Sequence, residues 1–131
     1  MSFNHPVSDL VAIIKNGYLA QKTSIMSPFS KIRENILKVL KEEGYISNYV
    51  KIKFNNHDYF NISLKYYNNK PVLSEINIIS KPGRKIYCSA DKIPLIKNGL
   101  GMCLISTSHG ILSDHIARTK NLGGEILLKI F

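Results

Sequence analysis

A chain of 131 residues with 44% hydrophobic side chains can bury a core as one domain or two small halves, which excludes a disordered segment. Its 18 Lys and Arg against 9 Asp and Glu leave a net charge of +9, shared as ten basic and five acidic side chains over residues 1–70 and eight and four over 71–131. A body that is positive throughout suits a polyanion, nucleic acid before membrane, and no apolar run approaches the ~18 residues of a spanning helix.

The first six residues, Met1 to Pro6, have neither the basic start and apolar core of a signal peptide nor an Arg-rich transit segment, so the protein is expected either to be made where it works or to have had an address removed. From Pro6 to about Gln21, Val7, Leu10, Val11, Ile14 and Tyr18 recur on one helical stripe. Thr23–Met26 is expected to be a short strand. Pro28 and Ser30 then open a second helix, with Ser30 as N-cap, Ile32, Ile36, Leu37 and Leu40 as its buried stripe, and Gly44 as its stop. Three β-rich runs follow, Ile46–Phe54, Tyr59–Tyr66 and Val72–Ile79, with turns at residues 55–58 and 68–70. After Ser80 the texture changes, and six of the eight glycines lie beyond it. Short strands are expected at Lys85–Ser89, Met102–Ser106 and Glu125–Ile130, with a short helix from Ser113-Asp114 to about Lys120. The expected class is α+β in two small packed halves. Residues 1–79 form an α-β-α-β-β half, and residues 80–131 a glycine-punctuated β-structure with one short helix.

Several chemistries lack support. Ser108 and His109, with Asp114 and His115 nearby, supply the residue types of a hydrolase, but sequence neighbours rarely face one another as a triad requires. Gly99-Leu100-Gly101 lacks the third glycine of a dinucleotide loop. The four histidines have no ligand spacing, so neither metal nor cofactor is expected. Cys88 and Cys103, with no Cys-x-x-Cys spacing, are expected as buried thiols of a reducing compartment. Abundant Ile, Asn and Lys suggest an AT-rich genome, bacterial or organellar.

A binding role has more to stand on. Ser106-Thr107-Ser108 places three hydroxyls beside Gly110, and hydroxyls can bond phosphates, ribose 2′-OH groups and edges of unpaired bases. Ser80-Lys81-Pro82-Gly83-Arg84-Lys85 is a basic turn, and Tyr87 follows it as a stacking partner. Each signal alone describes an ordinary turn; on a chain of +9 they point together to a nucleic-acid contact.

The order of these motifs carries a resemblance. Ser80-Lys81-Pro82-Gly83-x-Lys85-Ile86-Tyr87 is followed by Gly99-Leu100-Gly101, by Leu104-Ile105-Ser106-Thr107-Ser108-x-Gly110, by Asp114-x-x-Ala117-Arg118 and by Gly123-Gly124-Glu125-Ile126. With Ile14-Lys15-Asn16, Pro28-x-Ser30-Lys31 and Leu40–Ile46, the whole chain resembles the bacterial-type ribosomal protein eight of the small subunit. The resemblance implies a two-part, non-enzymatic constituent of the ribosome. It would be a primary binder of the central domain of small-subunit ribosomal RNA that helps organise the platform, beside neighbouring small-subunit proteins. It implies RNA contacts at Ser106, Thr107, Ser108, Gly110, Tyr87, Lys85, Gly124 and Glu125, and further ones at Lys15, Asn16, Ser30 and Lys31. The location implied is the small subunit, in a bacterial cytoplasm or a mitochondrial matrix. A free-standing translational regulator that binds messenger RNA is the runner-up, and a small Ser/His hydrolase the third reading. Ile13, Lys15, His109, His115, Arg84 and Lys85 depart from the family's usual residues, which weakens or moves phosphate contacts at the rim because Lys lacks the fork of Arg. The hydroxyl cluster and Gly-Gly-Glu segment keep the family pattern.

Overall fold

The computed structural model describes residues 6–131, the side chain of Asn98 apart. It divides into two compact units, one through Leu73 and one from Ser74 to Phe131.

The first unit opens with helix α1, Pro6–Leu19, which buries Val7, Leu10, Val11, Ile14 and Tyr18, the stripe the spacing predicts. Strand β1, Ser24–Pro28, leads to helix α2, Lys31–Glu42. Ser30 caps α2 by accepting the Arg33 N–H at 3.2 Å. The helix ends as a Schellman turn, in which Tyr45 N–H donates to Leu40 O at 2.8 Å and Gly44 N–H to Lys41 O at 3.2 Å. Ile36, Leu37, Val39 and Leu40 are buried, whereas Ile32 is only half-buried and its neighbour Arg33 goes inside instead. Arg33 is satisfied there: its guanidinium donates to Ser27 Oγ at 2.9 Å, to the carbonyls of Pro6 and Pro28 at 3.1 Å each, and to Asp9 at 3.3 Å.

Strands β2, Asn48–Phe54, and β3, His57–Ser63, form a hairpin closed by Asn55-Asn56, both at positive φ (51° and 62°), a twist-matched two-residue turn. The turn is therefore shorter than the expected 55–58, and His57 and Asp58 belong to β3. All pairings are antiparallel, in the order β1-β3-β2. A second Asn-Asn turn, at 68–69, joins the two-residue strands β4, Tyr66–Tyr67, and β5, Lys70–Pro71.

The second unit is one antiparallel sheet. Its strands are β6 (Ile76–Ile78), β7 (Tyr87–Cys88), β8 (Met102–Thr107), β9 (Gly110–Ser113) and β10 (Gly124–Ile130), in the order β6-β10-β8-β9 with β7 also on β10. Of the expected β-run Val72–Ile79, only Ile76–Ile78 forms a strand. It pairs with Ile130–Leu128, so the division falls after Leu73 rather than after Ile79. Short helix α3, Asp114–Thr119, covers one face, where Ile93, Cys103, Ile105, Ala117 and Ile126 form the core. Arg118 of α3 donates to Pro94 O at 2.9 Å and to Asp114 at 3.0 Å, fastening the loop at 93–94. Among the described residues no helix is long and apolar enough to cross a membrane.

Cys103 is buried and Cys88 half-buried, both as free thiols. Burial, reinforced by the Asp114 carboxylate, pushes the Cys103 thiol up to about 11 from its ordinary 9.0. The unfolded thiol ionises first as pH rises, so the stability it carries is complete below pH ~9 and gone above ~11. Unfolding titrations of the wild type should lose about 2 kcal/mol more across that window than Cys103→Ala does. Parallel curves for the two proteins would refute this.

Candidate nucleic-acid interface

At one end of the second sheet the register lines up four residues. Tyr87 of β7 lies opposite Glu125 of β10, Glu125 opposite Ser106 of β8, and Ser106 opposite Ile111 of β9. Directly opposed residues share a face, so an aromatic ring, a carboxylate, a hydroxyl and an apolar side chain form one row across four strands. Tyr87 is 65% exposed, and the other three are half-buried. The adjacent row, Ile126, Ile105 and Leu112, points to the other face and into the core, which fixes the strands beneath. A bulge between Ile126 and Leu128 interrupts the ladder just beyond the row.

Gly124 makes this row possible. A Cβ there would run into the Ser106 carbonyl and approach the Thr107 Cα at 3.3 Å, so only glycine lets β10 sit this close to β8.

The hairpin between β8 and β9 divides its hydroxyls by role. Thr107 donates to Gly110 O at 2.8 Å and accepts the His109 N–H at 3.1 Å, so its hydroxyl shapes the turn. Gly110 completes it at φ +100°, a conformation side chains rarely adopt. Ser108 stands at the exposed tip with its Oγ 3.2 Å from His109 Nδ1. Ser106 and Ser108 are thus the presented hydroxyls, and Thr107 the structural one.

The basic loop is an excursion from a single sheet edge. β6 and β7 lie along the same side of β10, and the chain between them leaves that line at Ser80 and rejoins it at Ile86. Ser80, fully enclosed, closes the base: its hydroxyl donates to Ile126 O at 2.5 Å and accepts the Ile86 N–H at 3.0 Å. Above it, Lys81 and Arg84 exchange backbone bonds of 2.9 Å, leaving Lys81, Arg84 and Lys85 exposed. In the sequence alone Ser80 reads as the first residue of the basic turn. A small hydroxyl residue between a β-run and a charged loop is the signal that marks it as the clamp.

The remaining predicted positions lie in the first unit. Lys15 and Asn16 are exposed on α1, and Lys31 is exposed at the first position of α2. Ser30 is half-buried, and its hydroxyl is engaged by the Arg33 N–H. The hydrolase constellation is not assembled. Ser108 and His109 touch, but Asp114 is buried against Arg118, and Ser113 rather than Ser108 lies 3.4 Å from His115. His5 lies outside the described residues, and no group of three potential metal ligands occurs among those described.

A basic α+β protein with a hydroxyl-tipped hairpin, an aromatic–acid–hydroxyl row and a clamped cationic loop has the surface of a polyanion binder. The chain belongs to the ribosomal protein S8 family, whose model matches residues 5–131. It is 45% identical to the small ribosomal subunit protein uS8 of Hyphomonas neptunium over 131 residues, all of both chains. It is 48% identical to uS8 of Buchnera aphidicola subsp. Cinara cedri over 127 residues, 97% of each, and 44% identical over the full length to uS8 of Zymomonas mobilis. The relatives are ribosomal proteins and not enzymes, so the family resemblance read from the motifs holds and the hydrolase reading falls.

Proposed function

We propose that this protein is a structural constituent of the small subunit of a bacterial-type ribosome. It binds the central domain of small-subunit ribosomal RNA and stabilises the platform during assembly, in a bacterial cytoplasm or a mitochondrial matrix. Neighbouring small-subunit proteins are its other partners. The observation that carries this reading is the alignment of Tyr87, Glu125 and Ser106 on one sheet face. Paired A-form RNA closes its deep groove to side chains, so recognition needs distorted or extruded bases, and the row supplies what those require. Tyr87 offers a stacking surface, Ser106 and Ser108 donate and accept, and Glu125 accepts from base amino groups or from the 2′-OH. Lys85 and the other exposed cations supply phosphate attraction without sequence information. Lys15 and Lys31 add exposed cations in the first unit, Asn16 adds a neutral amide beside Lys15, and Ser30 serves there as the helix cap.

Ser108→Ala should weaken binding to the cognate RNA about tenfold or more, ~1.4 kcal/mol, with little change in thermal stability because the hydroxyl is at an exposed tip. Ser106→Ala should behave likewise. Thr107→Ala should instead lower stability, since its hydroxyl bonds lie within the turn. Lys85→Ala should reduce the slope of log affinity against log salt by about one, with a near-uniform loss across RNA sequences. Filter binding across a salt series measures the affinities and the salt slope, and thermal melts measure the stability of the Ser108 and Thr107 variants. Unchanged cognate affinity for both serine variants in folded protein would overturn the assigned site.

A further inference from the structure

The outer face of the β1-β3-β2 sheet points to a second kind of partner. The register places Ser24, Met26 and Pro28 of β1, His57, Tyr59, Asn61 and Ser63 of β3, and Asn48, Val50, Ile52 and Phe54 of β2 on one side. The opposite side holds Ile25, Ser27, Phe60 and Ile62, all buried. On a half-solvated antiparallel sheet, apolar residues normally face the core and charged residues face water. In β2 this alternation is inverted. Lys51 lies opposite Phe60 on the inner side, with its Nζ 4.3 Å over the Phe29 ring and 3.8 Å from Asp58. Val50 and Phe54 point outward at 47% and 59% exposure, beside Met26 at 46%. No Lys, Arg, Asp or Glu stands on the outer face of a chain whose net charge is +9. At its edge, Pro28, His57 and Tyr59 border a groove of about 500 Å³ with Phe29, Asn56 and Asp58.

Charge decides what this face can hold. RNA draws its affinity from cations, and the face offers none. A second copy would bring +9 against +9. Its size also excludes a free-standing dimer: strands of five to seven residues give a footprint of roughly 300 Å², whereas a stable interface needs about 800 Å² per partner. We infer that the outer face of β1-β3-β2 docks an uncharged, apolar surface of a different protein, one that is held to the same ribonucleoprotein particle by other contacts. This rests on the ribosomal reading above and adds to it where one protein neighbour sits.

The test uses the full chain with Val50→Cys in a Cys88→Ala background, carrying a benzophenone maleimide and assembled with small-subunit ribosomal RNA and the total small-subunit proteins. Irradiation should join the probe to another protein of the particle, and the same protein should be captured from Met26→Cys. The neutral double variant Val50→Ser/Phe54→Ser leaves the charge unchanged and alters only exposed positions. It should bind naked ribosomal RNA within twofold of wild type, yet be retained in salt-washed particles at least fivefold less. Attachment to RNA, to a second copy or to nothing, or undiminished retention of the double variant, would overturn the docking face. Wild-type affinity of Ser106→Ala and Ser108→Ala would overturn the RNA site instead, and leave the face standing.

Discussion

Gly124→Ala is expected to be the most damaging single-methyl change in the second unit. The added carbon has no space beside the Ser106 carbonyl, and a paired strand backbone cannot move aside as a flexible side chain can. Relief requires β10 to part from β8 at the Glu125–Ser106 pair, breaking the ladder where the row is built. Overpacking typically costs 1–3 kcal/mol, and a clash with backbone puts this case at about 3 kcal/mol. Cognate RNA affinity should fall more than tenfold, together with loss of amide protection at Ser106 and Glu125. Gly83→Ala is the control: nothing lies within 4 Å of a Cβ there, so stability should stay within about 0.5 kcal/mol. Equal behaviour of the two variants in denaturant melts would show that the close approach does not matter.

Arg33→Ala should destabilise the first unit by about 3 kcal/mol. The loss removes the guanidinium's bonds to the Ser27 hydroxyl and to the Pro6 and Pro28 carbonyls, although Pro28 O keeps the Ser27 hydroxyl as a donor at 3.2 Å, and it takes an aliphatic stem from the core. The Asp9 pair contributes little of this, because Asp9 is half-exposed and screened by water. Asp9→Asn should therefore cost under ~1 kcal/mol. Arg33→Lys should recover only part of the loss, since a single ammonium cannot reach acceptors spread around a planar fork. Full recovery by lysine would mean that charge alone holds this junction.

Arg33 also marks a limit of reading the sequence. The α2 stripe was legible from apolar spacing, and Ser30 and Gly44 from cap chemistry, because those signals are local. That Arg33 rather than Ile32 turns inward depends on three carbonyl or hydroxyl oxygens brought from α1 and β1, and no spacing rule contains them. The same holds for Ile76–Ile78. It looks like the last strand of the first half until its partner, fifty residues further on, is known. In the candidate site, the chemistry of Ser106, Ser108, Tyr87 and Glu125 was legible as residue types and family motifs. Their alignment was not, since it follows from β10 inserting between β7 and β8. The division of labour among three successive hydroxyls likewise needs turn geometry, which commits the Thr107 hydroxyl to bonds within the turn.

The position of β10 has a consequence for how the protein comes into being on the translating ribosome. β10 is the common partner of β6, β7 and β8, and it follows all three in the chain. The first unit pairs β1, β3 and β2 from residues made early, and can close while synthesis continues. The second cannot. Until residues 124–130 emerge, β6 and β7 have no neighbour, Ser80 has no Ile126 carbonyl to bond, and Tyr87 has nothing to align with Ser106. The nascent chain therefore acquires the whole Tyr87–Glu125–Ser106 row only once β10 has emerged, so under the proposed function shorter nascent chains would not compete for RNA through it.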